Sequence, residues 1–182
     1  MTDTAWADLL PAGTVCMTTP IAGRPPFPVR HGKRGEPLWP DGRVGSITHA
    51  GGYRTIATAA GDQIQALGID MEPFAPLPPE VWPRIFSEEE LEALIQIHVP
   101  ERGRVALSLW CMKEALFKAL LGRIPFDEIE LCYQADGWHP TRLLGKAIKA
   151  SDSHDTGQLV LRTAVSGGWQ RAAAWSCKRV TY

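Results

Sequence analysis

Charge of one sign is what this sequence has least of. Nineteen Lys and Arg against twenty Asp and Glu leave a net charge of -1 across 182 residues. So small an excess gives no broad basic footprint for a phosphodiester backbone, and nucleic acid is not an expected partner. Long apolar runs are missing as well, and without about 18 consecutive apolar residues no membrane span is expected. The opening stretch "MTDTAWADLLPAGTVCM" has neither a basic n-region nor a long apolar core, so it does not read as a signal peptide. Cysteine is sparse: Cys16, Cys111, Cys132 and Cys177 are scattered with no C-x-x-C pair. That is the usage of reduced thiols in a cytoplasmic protein. The five histidines lie far apart and form no zinc pattern. What remains is an ordinary globular balance, 45% apolar and 21% charged, with enough chain for one domain or two small halves sharing a core.

Residues 20–42, "PIAGRPPFPVRHGKRGEPLWPDG", are crowded with Pro and Gly and should be extended or turning. Residues 53–60 are rich in β-branched and small side chains, Gly61-Asp62 reads as a turn, and 63–72 read as a second strand. The segment is therefore expected to be a hairpin. "IFSEEELEALIQIH" opens a helix. Ser87 is its N-cap, Glu90 completes a capping box, Phe86 and Leu91 form a hydrophobic staple, and the helix should stop by Pro100. A further helix is expected over about 104–121, ended by Gly122 and Pro125. From 126 onward "FDEIELCY", "QLVLRTAV" and "QRAAAWSC" alternate as strands do. Strands and helices mixed without regular βαβ alternation predict an α+β fold with antiparallel pairing.

The chemistry concentrates in two places. In "LWCMKEALFKAL" (109–120), wound at about 100° per residue, apolar side chains nearly close the circumference, the pattern of a buried helix. Glu114 and Lys118 nevertheless sit one turn apart in it, with Lys113 off to one side. A surface pair at that spacing is worth a few tenths of a kcal/mol. A buried charge must be paired or ligated. Asp70 and Glu72 lie two apart on the predicted strand, so they share a face. They read either as a solvated strand end or as a carboxylate pair that needs a cation, and magnesium suits such hard oxygen ligands. If Glu114 faces them, three carboxylates share one magnesium, Lys118 balances the excess charge, and the site suits phosphoryl chemistry.

The order and spacing of "GSITH" (45–49), "GIDME" (68–72) and "WCMKEALFK" (110–118) resemble the three signature blocks of the 4′-phosphopantetheinyl transferases. "GEPLWPDG" (35–42), ahead of the Ser-x-Thr-His block, is similar to the enterobactin- and surfactin-synthetase-activating branch, which serves siderophore, polyketide and nonribosomal peptide synthesis. The resemblance implies two similar α+β halves about a pseudo-twofold axis with a cofactor cleft between them. Here residues 1–62 would form a shortened N-terminal half, and 63–182 a C-terminal half carrying most metal and catalytic residues. It implies transfer of the phosphopantetheine arm of coenzyme A to a serine of an acyl or peptidyl carrier protein, with 3′,5′-ADP released, by a cytoplasmic monomer. A paralogue that binds coenzyme A or carrier with little transfer, or a magnesium-dependent hydrolase using the same cleft, are the alternatives.

Carried residue by residue, the resemblance implies that Asp70, Glu72 and Glu114 hold magnesium. Lys118 would contact the phosphate under attack, and Glu114, directly or through a metal-bound water, would accept the serine proton. Glu114, Lys118 and Asp70 are thus the catalytic set. His49 matches a histidine that contacts the 3′-phosphate of coenzyme A. Ser46 and Thr48 beside it offer hydroxyls or backbone N–H groups to phosphate or adenine. Lys113 is similar to a family phosphate-binding lysine. His31, Lys33 and Arg34 fall in a basic loop where the family contacts the nucleotide. Glu90 aligns with a family glutamate near the metal, although its capping box already explains it.

Overall fold

The computed structural model describes residues 4–23, 29–33, 35–40, 42–121, 125–134, 137–143 and 159–177. In chain order the strands are β1 (Val15–Pro20), β2 (Arg30–His31), β3 (Pro37–Leu38), β4 (Arg43–Ala50), β5 (Tyr53–Ala60), β6 (Ile64–Pro73), β7 (Ile129–Gln134), β8 (Gly137–Leu143), β9 (Leu159–Ser166) and β10 (Trp169–Cys177). The helices are α1 (Glu88–Gln96) and α2 (Val99–Ala119). Antiparallel ladders and segregated helices give the α+β class expected of the sequence.

Two Gly-Gly pairs organise the sheets. Gly51 and Gly52 have φ of 53° and 80°, and Gly167 and Gly168 have φ of 57° and 78°. A two-residue hairpin turn needs positive φ at both positions, which glycine adopts without steric cost. The first pair joins β4 to β5 and the second joins β9 to β10. A lone strand completes each sheet, giving the orders β1-β5-β4 and β6-β10-β9.

This pairing corrects the expected hairpin over 53–72. Both strands exist, as β5 and β6, but they belong to different sheets. Gly51-Gly52 turns β5 back onto β4. At 61–62 the chain crosses over instead, with the Gly61 N–H donating to the Gly42 carbonyl at 2.7 Å. β6 then pairs with β10, about a hundred residues later, from Pro73↔Trp169 to Ile64↔Cys177.

α1 starts where its capping box requires. The Ser87 side chain accepts the Glu90 N–H at 3.2 Å, and Glu90 Oε2 accepts the Ser87 N–H at 2.9 Å. α1 ends at Gln96, before Pro100 as expected. Pro100 itself sits in the first turn of α2, where its missing N–H costs nothing, so α2 begins earlier than the periodicity implied. At the other end Leu121 takes a left-handed φ of 54°, and its N–H donates to the Lys118 carbonyl. Gly122, expected to terminate the helix, lies outside the described residues. Among the described residues no helix is long and apolar enough to cross a membrane.

β6 separates two cores. Leu67, Ile69 and Met71 face a cluster containing Trp6, Cys16, Ala57 and Trp175. On its other face α2 packs Leu109, Met112 and Leu116 with Ala172 and Ala174 of β10, Leu94 of α1 and Leu131 of β7. Gly68 makes the second contact unusually close. A methyl group there would collide with the Ala115 carbonyl oxygen and the Ala119 nitrogen of α2. The missing side chain lets the helix backbone lie directly on the strand, one residue before Asp70's neighbour Ile69.

Candidate active site

Three elements converge on one open cleft of about 290 Å³. β4 supplies Ile47, Thr48 and His49, β6 supplies Asp70 and Glu72, and α2 supplies Trp110, Glu114 and Lys118. Residues 110, 114 and 118 recur every four positions, so they form one stripe down α2. Asp70 and Glu72 share the β6 face that Gly68 turns toward that helix.

Asp70 is the centre of the arrangement, and it is only 3% exposed. Its Oδ1 accepts hydrogen bonds from Thr48 Oγ1 at 3.0 Å and Lys118 Nζ at 2.7 Å. Its Oδ2 is buried and meets no hydrogen-bond donor at good geometry among the described residues. Lys118 Nζ also donates to the Ile69 carbonyl at 3.3 Å and lies 3.8 Å from Glu114 Oε2. The ammonium thus bridges the strand carboxylate to the helix carboxylate.

The titration behaviour follows from this crowding. Burial pushes Glu72 up to about 6, repulsion from Asp70 and Glu114 adds to the rise, and Lys118 opposes it. Glu114 is likewise raised by burial and by Asp70 against the pull of Lys118. His49 is lowered by burial, then by Arg54, its cross-strand neighbour, and by Lys118. Cys111, buried behind the cleft, has its thiol pushed up by burial and by the adjoining Asp70 carboxylate, so it stays protonated. Among the described residues no three His, Cys, Asp or Glu side chains are gathered closely enough to hold a metal ion as they stand. The Lys118 ammonium is the local counter-ion.

The structure therefore brings together Thr48, His49, Asp70, Glu72, Glu114 and Lys118 from the expected set. Others lie elsewhere. Ser46 is buried, and its Oγ accepts the Ile69 N–H at 3.0 Å, so its hydroxyl ties β4 to β6 and does not line the cleft. Thr48 lines the cleft, but its hydroxyl is committed to Asp70. Lys113 is wholly buried and ion-paired with Glu90 at 2.6 Å, because its position on α2 faces α1 and β7. His31 and Lys33 are exposed on the β2–β3 hairpin, outside the cleft lining, with His31 Nδ1 3.0 Å from the Gly35 carbonyl oxygen. Arg34 lies outside the described residues. Ile47, Trp110 and Cys111 were not expected at the site. The four-residue spacing of Trp110 from Glu114 was the available signal for one of them.

Residues 66–170 match the family described as the 4′-phosphopantetheinyl transferase superfamily, and residues 19–60 match the 4′-phosphopantetheinyl transferase N-terminal domain. The chain belongs to the 4′-phosphopantetheinyl transferase superfamily. It is 43% identical over 129 residues to the 4′-phosphopantetheinyl transferase Svp of Streptomyces mobaraensis, covering 67% of this chain and 52% of that protein. It is 37% identical over 126 residues to the 4′-phosphopantetheinyl transferase PptT of Mycobacterium tuberculosis, covering 64% of this chain and 53% of that protein. The chain spans about half the length of the curated relatives it matches.

Proposed function

We propose that the chain transfers the 4′-phosphopantetheine arm of coenzyme A to a serine hydroxyl of an apo acyl or peptidyl carrier protein, using magnesium and releasing 3′,5′-ADP. The observation that carries this reading is the single cleft in which Asp70, Glu72, Glu114 and Lys118 meet, inside the stretch matched to the superfamily.

Three oxygen-donor carboxylates are the ligand chemistry that a hard divalent cation takes, and the cation would draw them together where Lys118 now bridges Asp70 and Glu114. Asp70 keeps a buried carboxylate oxygen that meets no donor at good geometry among the described residues, and burial plus like charge raise the proton affinity of Glu72 and Glu114. Asp70, Glu72 and Glu114 would hold magnesium, which would neutralise the pyrophosphate and orient it for in-line displacement. Lys118, already in the cleft, would contact the phosphate under attack. As the serine oxygen bonds phosphorus and the bond to the departing 3′,5′-ADP breaks, Glu114 would take the serine proton. Its raised affinity for a proton suits that role. His49 at the cleft would meet the 3′-phosphate, whose negative charge would reverse the depression that burial, Arg54 and Lys118 impose on the imidazole.

The matching strand orders, each with its Gly-Gly hairpin, support two similar halves about a pseudo-twofold axis that meet near residue 62. The first half is the shorter: 22 residues (21–42) link its lone strand to its hairpin, against 85 residues (74–158) in the second. Trp39 of "GEPLWPDG" lies so close to Gly45 that any side chain at 45 would strike its ring. That packing joins the branch-like block to the "GSITH" strand, and the enterobactin- and surfactin-activating type is proposed on the sequence of that block alone.

The test is to incubate the protein with magnesium, coenzyme A and each of several apo carriers, and to weigh the carriers intact. At least one should gain the mass of a single phosphopantetheine arm. No gain on any carrier, alongside measurable coenzyme A binding, would point to a binding paralogue. Release of 3′,5′-ADP without carrier modification would point to a hydrolase.

A further inference from the structure

Lys113 and Glu90 form an ion pair whose side chains are both 0% exposed. Glu90 is satisfied on every side. Its Oε2 accepts Lys113 Nζ at 2.6 Å and the Ser87 N–H at 2.9 Å, and its Oε1 accepts the Leu131 N–H at 3.0 Å. One carboxylate thus joins the first turn of α1, the middle of α2 and the start of β7. The Lys113 ammonium lies 5.9 Å from the centre of the Phe86 ring and 5.5 Å from that of Phe126, so aromatic faces enclose its remaining sides. No cleft-lining residue belongs to this cluster.

Lys113 immediately precedes Glu114 on α2. Adjacent helical residues point about 100° apart, so a side chain locked into the core fixes the direction of the next. We infer that Lys113 is a positioning residue: its buried pair with Glu90 sets the rotation of α2 that aims Glu114 and Lys118 into the cleft, and it does not bind phosphate. The reading of the cleft as a transferase site is assumed where activity is the readout, and is not needed where exchange is.

Such a pair suits the role. An apolar contact tolerates small rotations, whereas a charge without its partner in the core is strongly disfavoured, so the helix has one acceptable register. The close approach at Gly68 then holds that register against β6.

Three variants separate the possibilities: Glu90→Gln, Lys113→Met and the double variant. Backbone hydrogen exchange across 110–118 should quicken at least tenfold in Glu90→Gln, which keeps the lysine. At temperatures where each protein is folded, kcat should fall at least tenfold while coenzyme A affinity stays within about threefold. The double variant should lose no more than the worse single one, since both remove the same tether. Unchanged exchange would overturn the inference whether or not the wild type transfers anything. A lowered melting temperature with kcat unchanged would reduce the pair to a structural element and also overturn it. Weaker coenzyme A binding in Lys113→Met, with normal binding in Glu90→Gln, would make the lysine a ligand after all. If Lys113→Met does not fold, the Glu90→Gln results decide alone. A wild type without transfer would count against the proposed function, leaving the exchange measurement to judge the tether.

Discussion

Asp70 is a carboxylate with one oxygen engaged by Thr48 and Lys118 and the other buried with no donor at good geometry among the described residues. Its neighbour Glu72 has its pKa raised first by burial and then by the negative charge of Asp70 and Glu114. Glu72 has a folded pKa of about 6, above its ordinary 4.5, so the folded state binds the proton more tightly than the unfolded chain does. Stability of the metal-free protein should therefore fall as pH rises from about 4.5 to about 6, and then level off. Glu72→Gln should remove that loss. At pH 7.5 without magnesium the variant should melt a few degrees higher than wild type, with no advantage near pH 4. The gain is about 1 kcal/mol at most once solvent screening of this half-buried group is allowed for. An equal gain at both pH values would show that burial and the neighbouring carboxylates do not raise the proton affinity of Glu72 as described. Glu114 and Lys118 were legible because charges stood in an otherwise apolar helix, whereas Asp70 and Glu72 could equally have been a solvated strand end, and Thr48 and His49 followed only from the family resemblance. Lys113 and Ser46 misled for a matching reason. Residue type and spacing say that a lysine or hydroxyl must be satisfied, but not whether a ligand or another part of the chain satisfies it.

Among the elements, α2 against β6 determines whether the carboxylates can meet at all. Gly68 permits that approach, because a Cβ there would overlap the backbone of Ala115 and Ala119. Gly68→Ala should force the helix away from the strand. Overpacking of this kind costs about 1–3 kcal/mol, so the melting temperature should drop by roughly 5 °C. Transfer per folded molecule should fall as well, since Lys118 could no longer span Asp70 and Glu114. Wild-type activity in a folded Gly68→Ala protein would mean that the close packing does not position the site. The glycine of "GIDME" was visible in the sequence as part of a motif, but its purpose was not, since the atoms it avoids lie almost fifty residues away. Local signals were read more fully. The capping box at Ser87 and Glu90 stands as expected and α1 stops before Pro100, whereas α2 starts several residues earlier than its periodicity implied, because a proline disfavours a helix interior but suits a first turn.

Across the whole molecule, the α+β class followed from composition and periodicity, while the sheet topology did not. The hairpin drawn through Gly61-Asp62 was plausible locally, but Gly51-Gly52 already turned β5 onto β4 and left β6 to pair with β10. Pairing across about a hundred residues leaves no local mark in either strand. The outcome matters for function. β4 of one sheet comes to lie beside β6 of the other, stitched by Ser46 to Ile69 and by Thr48 to Asp70, and the cleft opens where α2 closes over that seam. Neither sheet alone contains the site. The most direct measurement compares the wild type with Glu114→Gln, with magnesium present or chelated, reading the intact mass of an apo carrier that the wild type modifies. Only the wild type with magnesium should add one phosphopantetheine arm, while Glu114→Gln keeps a wild-type melting profile to within a few degrees. Modification by the wild type after chelation, or by Glu114→Gln at the wild-type rate, would contradict a magnesium-dependent transfer carried by this cleft.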